Sequence, residues 1–283
     1  MSILSHALVI EPGSTPTRFI LFLHGILGSG ANWRGIARRL VHRLPDWGAV
    51  LVDLRMHGAS QSFSAPHTVE ACAADLEALE SVIPGDVRAV LGHSFGGKVA
   101  LAYHLARRDR LDRVFVVDAT PGPRRASLLE GDPTSSPRIV SLLRTLPARH
   151  AARADFLEHL RRAGLDDDVA QWLAMNLERD SDGFRLRLDL DAIDALLSDY
   201  LARDLWPALE QWPSSARARG PARIVVVVGA RSHTFSAQDR ARLQRAAAAS
   251  SGHVKAHTLD TGHWVHVDAP DALTEIVTTE LAS

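Results

Sequence analysis

The chain has 283 residues, a formal net charge of -1 and 46% hydrophobic residues, enough apolar material for a sizeable core in one large α/β domain or two smaller ones. The near-zero charge excludes the global basic field that draws nucleic acid or an anionic membrane surface. A single cysteine, Cys72, excludes an intramolecular disulfide framework and a multi-cysteine metal site.

The first stretch, MSILSHALVIEPGSTPTRF, has no basic region followed by a long apolar one, and no run in the chain approaches the length of a membrane span. The expectation is a soluble, cytoplasmic protein with no membrane insertion. Short β-rich apolar runs then follow in order: HALVI (6–10), FILFLH (19–24), AVLVDL (49–54), RAVLGH (88–93), RVFVVD (113–118), IVVVVG (224–229) and VKAHTL (254–259). They alternate with longer helical patterns, as in a mostly parallel sheet covered by helices on both faces.

The stretch between residues 119 and 223 is too long for one crossover and too patterned for a loop. Ile139, Leu142, Leu143 and Leu146 recur at helical spacing, as do Val169, Trp172, Leu173 and Leu177. FRLRLDL (184–190) instead alternates with period two, and Ile193, Leu196, Leu197, Tyr200 and Leu201 resume a helix. Residues 1–119 and 223–283 are therefore expected to form one core, interrupted by a mainly helical cap over 120–222. TPGPRR and WPSSARARGPA mark its two joints with Pro and Gly.

Chemistry concentrates at strand ends. LGHSFGG (91–97) follows a β-run and precedes the helical pattern KVALAYHLARR, which gives G-x-S-x-G its meaning: a tight turn lifts the Ser94 hydroxyl above the carboxyl edge of the sheet. A nucleophilic serine needs two backbone N–H donors for the developing oxyanion. Phe95, after the nucleophile, and Ile26, after the strand-ending His24-Gly25, are expected to supply them. His24, Gly25, Leu27, His93 and Trp264 flank these groups and are expected to line the substrate pocket.

Gly262-His263 follows the last run, where a base must lie to reach the serine, and the order in this class is Ser, acid, His. His263 meets both conditions, with His266 as its nearest rival. The acid is less obvious, because the loop after RIVVVVG offers Arg231, Ser232, His233 and Thr234 but no carboxylate. Asp118, at the end of RVFVVD, is the leading candidate; Asp191, Asp239 and Asp260 are alternatives. In DLRMHGASQS (53–62), Asp53 and His57 are expected to bond to backbone and shape a loop. Lys98 is expected on a helix surface or in packing. Trp172, Trp206 and Trp212 in the insertion, with Leu and Met neighbours, fit an apolar acyl pocket or ordinary core packing.

FLHGILGSGANW, VDLRMHGAS, GHSFGGKVAL, VVDATPG and GHWVHVDAPD together resemble the α/β-hydrolase superfamily, in particular the branch of bacterial YbfF-type esterases and eukaryotic abhydrolase domain-containing protein 11. The likeness runs over nearly the whole chain. It implies an α/β-hydrolase fold, Ser94 as nucleophile and His263 as base; for bacterial members it implies an acid at Asp118, for eukaryotic ones at Asp191. The loop GARSHTF keeps Gly229 and Ser232 of the branch's pattern but departs at Ala230 and Arg231, so Ser232 or His233 is expected to contact the catalytic group or substrate.

The expected activity is cofactor-independent, metal-free serine hydrolysis of a small-molecule ester or thioester. Thioesterase, lactonase, C–C hydrolase or perhydrolase chemistry on the same residues, and a non-catalytic binding protein on this fold, are the alternatives.

Overall fold

A computed structural model describes residues 2–107, 110–124, 135–211 and 222–283. The elements in chain order are β1 (His6–Val9), β2 (Arg18–Leu23), α1 (Arg34–Arg43), β3 (Trp47–Val52), α2 (Val69–Glu80), β4 (Asp86–His93), α3 (Phe95–Ala106) and β5 (Arg113–Val117). Then come α4 (Ser136–Thr145), β6 (Arg149–His150), α5 (Arg153–Arg162), α6 (Asp167–Leu173), β7 (Leu177–Asp180), β8 (Gly183–Leu186), α7 (Leu190–Ala202) and α8 (Pro207–Glu210). The chain finishes with β9 (Arg223–Gly229), α9 (Ala237–Ala249), β10 (Val254–Leu259), α10 (Val265–Asp268) and α11 (Pro270–Ala282).

All seven apolar runs read from the sequence are strands of one sheet, ordered β1-β3-β2-β4-β5-β9-β10. Only β1 runs antiparallel, on β3; the other pairings are parallel. Alternate residues of each inner strand face two separate apolar clusters. Phe19, Leu21, Leu23, Val114 and Val116 point to one; Ile20, Phe22, Phe115 and Val117 point to the other. Because both faces are covered, β3 is buried at every position and β9 at all but its first, which is why these strands read as unbroken apolar runs rather than alternating ones.

The smaller cluster is closed by Ile36, Leu40 and Val41 of α1 and by Leu273, Val277 and Leu281 of α11. The larger takes in α2, α3, α9 and the segment between β5 and β9, without a break between sheet and insertion. Helix α3 is apolar around its whole circumference, and Phe95 to His104 are all buried, as expected of a helix with packing on every side.

Lys98 is the exception in that helix, and of the two placements expected for it, helix surface or packing, it takes packing. Its side chain is buried, and Nζ donates to the carbonyls of Gly122, Tyr200 and Arg203 at 2.8, 2.6 and 2.8 Å. Three carbonyl acceptors for three ammonium donors satisfy the lysine where no water reaches. Burial draws its pKa down to about 7, against the pull of Asp204, Asp199 and Asp239.

Within 120–222 the described residues place α4, α6 and α7 where the periodicity predicted helices. They also show a three-stranded antiparallel sheet, β6-β8-β7. Leu177 therefore opens β7 instead of closing a helix, and FRLRLDL divides between β8 and the start of α7 at Leu190. Residues 212–221 of the exit joint, Trp212 among them, lie outside the described residues, as does the last residue of TPGPRR. No helix among the described residues is long and apolar enough to cross a membrane.

Candidate active site

The sheet brings five strand ends level. The β4 residue His93 pairs with Val117 of β5, Val117 pairs with Val227 of β9, and Gly229 pairs with Leu259 of β10. On the other side, Leu23 at the end of β2 pairs with Gly92. The chain crosses from β3 past β2 to β4, so the ends of β2 and β4 lie at the point where strand order reverses, where open α/β sheets place their ligands.

Ser94 caps α3 at φ 53 and ψ -116, a backbone state that L-residues rarely adopt and that stores strain at sites of function. Its N–H donates to the Val117 carbonyl at 3.0 Å, which ties the turn to β5 and leaves the hydroxyl free to face outward. The flanking glycines are required by space. A Cβ on Gly92 would stand 1.9 Å from the Gly96 carbonyl oxygen, and one on Gly96 would stand 2.6 Å from that of His24. These two close approaches let α3 start directly over the strand ends, with its positive terminus at Ser94.

His263 Nε2 lies 3.1 Å from Ser94 Oγ, and Nδ1 lies 2.7 Å from Asp118 Oδ2. Because a carboxylate only accepts, Nδ1 carries the proton and Nε2 is the lone pair presented to the serine hydroxyl. Asp118, fully buried at φ 45, also accepts the Gly229 N–H on Oδ1 at 2.9 Å and the Ser232 hydroxyl on Oδ2 at 2.5 Å. Thr234 Oγ1 lies 3.1 Å from His263 Nδ1. The loop that lacks an acid thus supplies the Ser232 hydroxyl that holds one.

The other acids are elsewhere. Asp191 has a side chain 87% exposed and pairs with Arg144. Asp239 caps the start of α9 with Ser236, and Asp260 pairs with Arg231 in solvent. The rival base His266 is buried between Trp33 and His93, with ring centroids at 4.9 and 4.6 Å.

A cavity of about 600 Å³ opens over Ser94. His24, Gly25, Ile26, His93, Phe95, His263 and Trp264 line it, as does Trp172, whose ring meets that of Trp264 edge-on at 4.8 Å. Trp206 does not; it is buried in the core under the Arg242 guanidinium. Among the described residues, no acceptor takes the N–H of Ile26 or of Phe95, so both can turn to a ligand.

Leu27 does not line the cavity, contrary to expectation. Its φ of 63 turns the side chain into the core. Its N–H donates to His57 Nε2 at 3.0 Å, and its carbonyl accepts Asn176 Nδ2 at 2.8 Å. His24 touches the cavity, but both ring nitrogens serve backbone: Nδ1 donates to the Gly25 carbonyl and Nε2 accepts the Leu54 N–H. Asp53 accepts the N–H groups of Gly30 and Ala59, and His57 Nδ1 donates to the Arg55 carbonyl. These bonds shape the loop that presents Ile26. His93 Nε2 donates to the His263 carbonyl at 2.8 Å and so fixes the backbone at His263.

Sequence reasoning missed Thr234, Asn176, Tyr200 and Arg124. Tyr200 lines the cavity from α7; burial raises its pKa, partly offset by the charge of Arg124. Residues from α7 and from the β5 exit meet Ser94 only through tertiary folding, so no local pattern marks them.

Burial lowers the pKa of His24 and His266 to about 4, of His57 to about 3, and of His93 well below its ordinary value. The unfolded chain binds these protons first, near pH 6.5. Stability is therefore fully present above about pH 6.5 and is lost as pH falls toward 4, by up to about 3 kcal/mol for a histidine shifted that far. Urea unfolding at pH 7.5, 6 and 5 should show a falling midpoint, and His266→Phe should flatten that fall.

The pattern of an alpha/beta hydrolase family model matches residues 20–276. The chain is 30% identical over 268 residues to an sn-1-specific diacylglycerol lipase ABHD11 of Mus musculus, covering 93% of this chain and 80% of that protein. It is 26% identical over 259 residues to Esterase YbfF of Escherichia coli (strain K12), covering 90% and 89%. A solved structure of a marine microorganism esterase superposes with a TM-score of 0.78 at 23% identity, covering 98% of each chain. With the family pattern spanning nearly the whole sheet and every strand end that carries the site, the chain belongs to the alpha/beta hydrolase family.

Proposed function

We propose that the protein is a serine carboxylic-ester hydrolase of the carboxylesterase type, acting on small or medium acyl esters or thioesters through an acyl-enzyme. The observation that carries this reading is the hydrogen-bonded chain from Ser94 through His263 to Asp118, at 3.1 and 2.7 Å. Ser94 Oγ attacks the carbonyl carbon while His263 Nε2 takes its proton, and the buried Asp118 carboxylate orients the ring and stabilises the imidazolium that forms. The oxyanion accepts from the Ile26 and Phe95 N–H groups, an arrangement worth roughly 3 kcal/mol per donor. His263 then returns the proton to the departing alcohol or thiol. Water, deprotonated by His263, releases the acid and restores Ser94.

Residues 1–119 and 223–283 are read as the catalytic core and 120–222 as its cap. Ile139, Val169, Trp172 and Leu197 line the cavity from that segment, offering an apolar wall to an acyl chain. Relatives named as an esterase and as a diacylglycerol lipase fit the same ester chemistry. The chain's single buried cysteine fits a cytoplasmic setting. The test is a panel of 4-nitrophenyl esters and acyl thioesters from two to sixteen carbons. The expected result is a maximum of kcat/KM at small or medium chains; turnover of none of them by folded protein would overturn the reading.

A further inference from the structure

The cavity is electrostatically lopsided. Among the described residues its lining carries two arginines, Arg124 and Arg231, and no aspartate or glutamate. Arg231 is paired with Asp260. Arg124 has no carboxylate partner among the described residues: Nη2 donates to the neutral His233 carbonyl at 2.9 Å, which leaves most of its five donors unassigned. That bond is solvent-exposed, so the guanidinium is accessible to an anion entering the cavity.

The strap that carries Arg124 is fastened at several points. Its own N–H donates to the Leu201 carbonyl at 2.7 Å, and the Pro121 carbonyl accepts the Leu205 N–H at 2.8 Å. Lys98 Nζ holds the Gly122 carbonyl, and in the same cluster the Tyr200 carbonyl. The buried lysine, which the hydrolytic steps do not use, thus locks the β5 exit against α7. Tyr200, whose carbonyl Lys98 holds, lines the same cavity as Ser94 and Arg124, so the strap fixes the guanidinium in the wall of the cavity that contains the nucleophile.

We propose that Arg124 is the anion-recognition residue of this cavity, binding a carboxylate or phosphate carried by the substrate, so that the preferred ester is an anionic one. The proposal rests on the ester-hydrolase reading and names its substrate class. A bidentate contact from a planar guanidinium to either oxyanion fits Arg124's free donors. A neutral ester of the same length would leave that charge unmatched.

The test compares wild type, Arg124→Gln and Arg124→Lys on three sets of substrates. These are mono-4-nitrophenyl esters of four- to eight-carbon dicarboxylic acids, their methyl-capped neutral counterparts, and 4-nitrophenyl esters of acids ending in a phosphate. In wild type the anionic ester should exceed its neutral counterpart in kcat/KM by about tenfold to a hundredfold. That ratio should fall at least about tenfold in Arg124→Gln and recover in part in Arg124→Lys, and the better of the two anionic sets identifies the group. A wild-type ratio at or below one, or an unchanged ratio in Arg124→Gln, overturns the proposal. If no ester is turned over, the hydrolase reading fails by itself, and calorimetry with adipate and butyl phosphate decides the anion site. Binding by wild type that is abolished in Arg124→Gln supports it; no binding, or equal binding, overturns it.

Discussion

Ser94→Ala is expected to lower kcat on a 4-nitrophenyl ester by about 10⁶-fold, since removing a serine nucleophile costs about as much as removing its whole catalytic set. The variant should stay folded. Alanine keeps the Cβ that the turn already accommodates at φ 53, and the Ser94 N–H bond to Val117 does not involve the side chain. The substitution removes only the hydroxyl, with its hydrogen bond to His263 Nε2. Steady-state rates with a thermal melt check both halves. A residual rate within about a hundredfold of wild type would mean that another group performs the attack.

Asp118→Asn is expected to lower kcat by about 10⁴-fold, the cost of presenting the base in the wrong tautomer. The geometry makes this substitution severe. Asp118 accepts from His263, Ser232 and the Gly229 N–H, and an amide has one oxygen with which to do so, so its NH₂ must face at least one donor. Asp191→Asn should stay within about twofold of wild type, because Asp191 sits in solvent beside Arg144 and a surface ion pair contributes little. Asp239→Asn should likewise spare turnover, since Asp239 serves the first turn of α9. Near-wild-type rates for Asp118→Asn would sink the acid assignment.

The sheet was legible because its strands are buried on both faces, so each appears as an uninterrupted apolar run between turn residues. Ser94 and His263 were legible because local order and a neighbouring strand end suffice to mark them. Asp118 was harder. Its proposed role depends on β5 lying beside β9, and Asp191, Asp239 and Asp260 competed with it in the chain order. Adjacency also explains the loop after β9: with Asp118 one strand away, that loop needs hydroxyls, Ser232 and Thr234, in place of a carboxylate.

Short elements escaped for a physical reason. Strands of two to four residues such as β6, β7 and β8 carry too few residues to show a period, and Leu177 matched the helical spacing of its predecessors while belonging to β7. Leu27 was misplaced because a positive φ redirects its side chain, which residue type alone does not reveal. For Lys98 the sequence left surface and packing both open, because residue type alone does not separate them. Only the packing of α7 and the β5 exit around α3 turns it into a buried tie.

The most direct measurement is labelling with a fluorophosphonate probe, followed by mass spectrometry of the digested protein. Phosphonylation requires a serine activated by its base and an oxyanion hole ready to receive the adduct. The expected result is one adduct, on the peptide containing Ser94, which is absent from Ser94→Ala and forms far more slowly on Asp118→Asn. Folded wild-type protein that takes no label, or takes it on a different serine, would contradict the account.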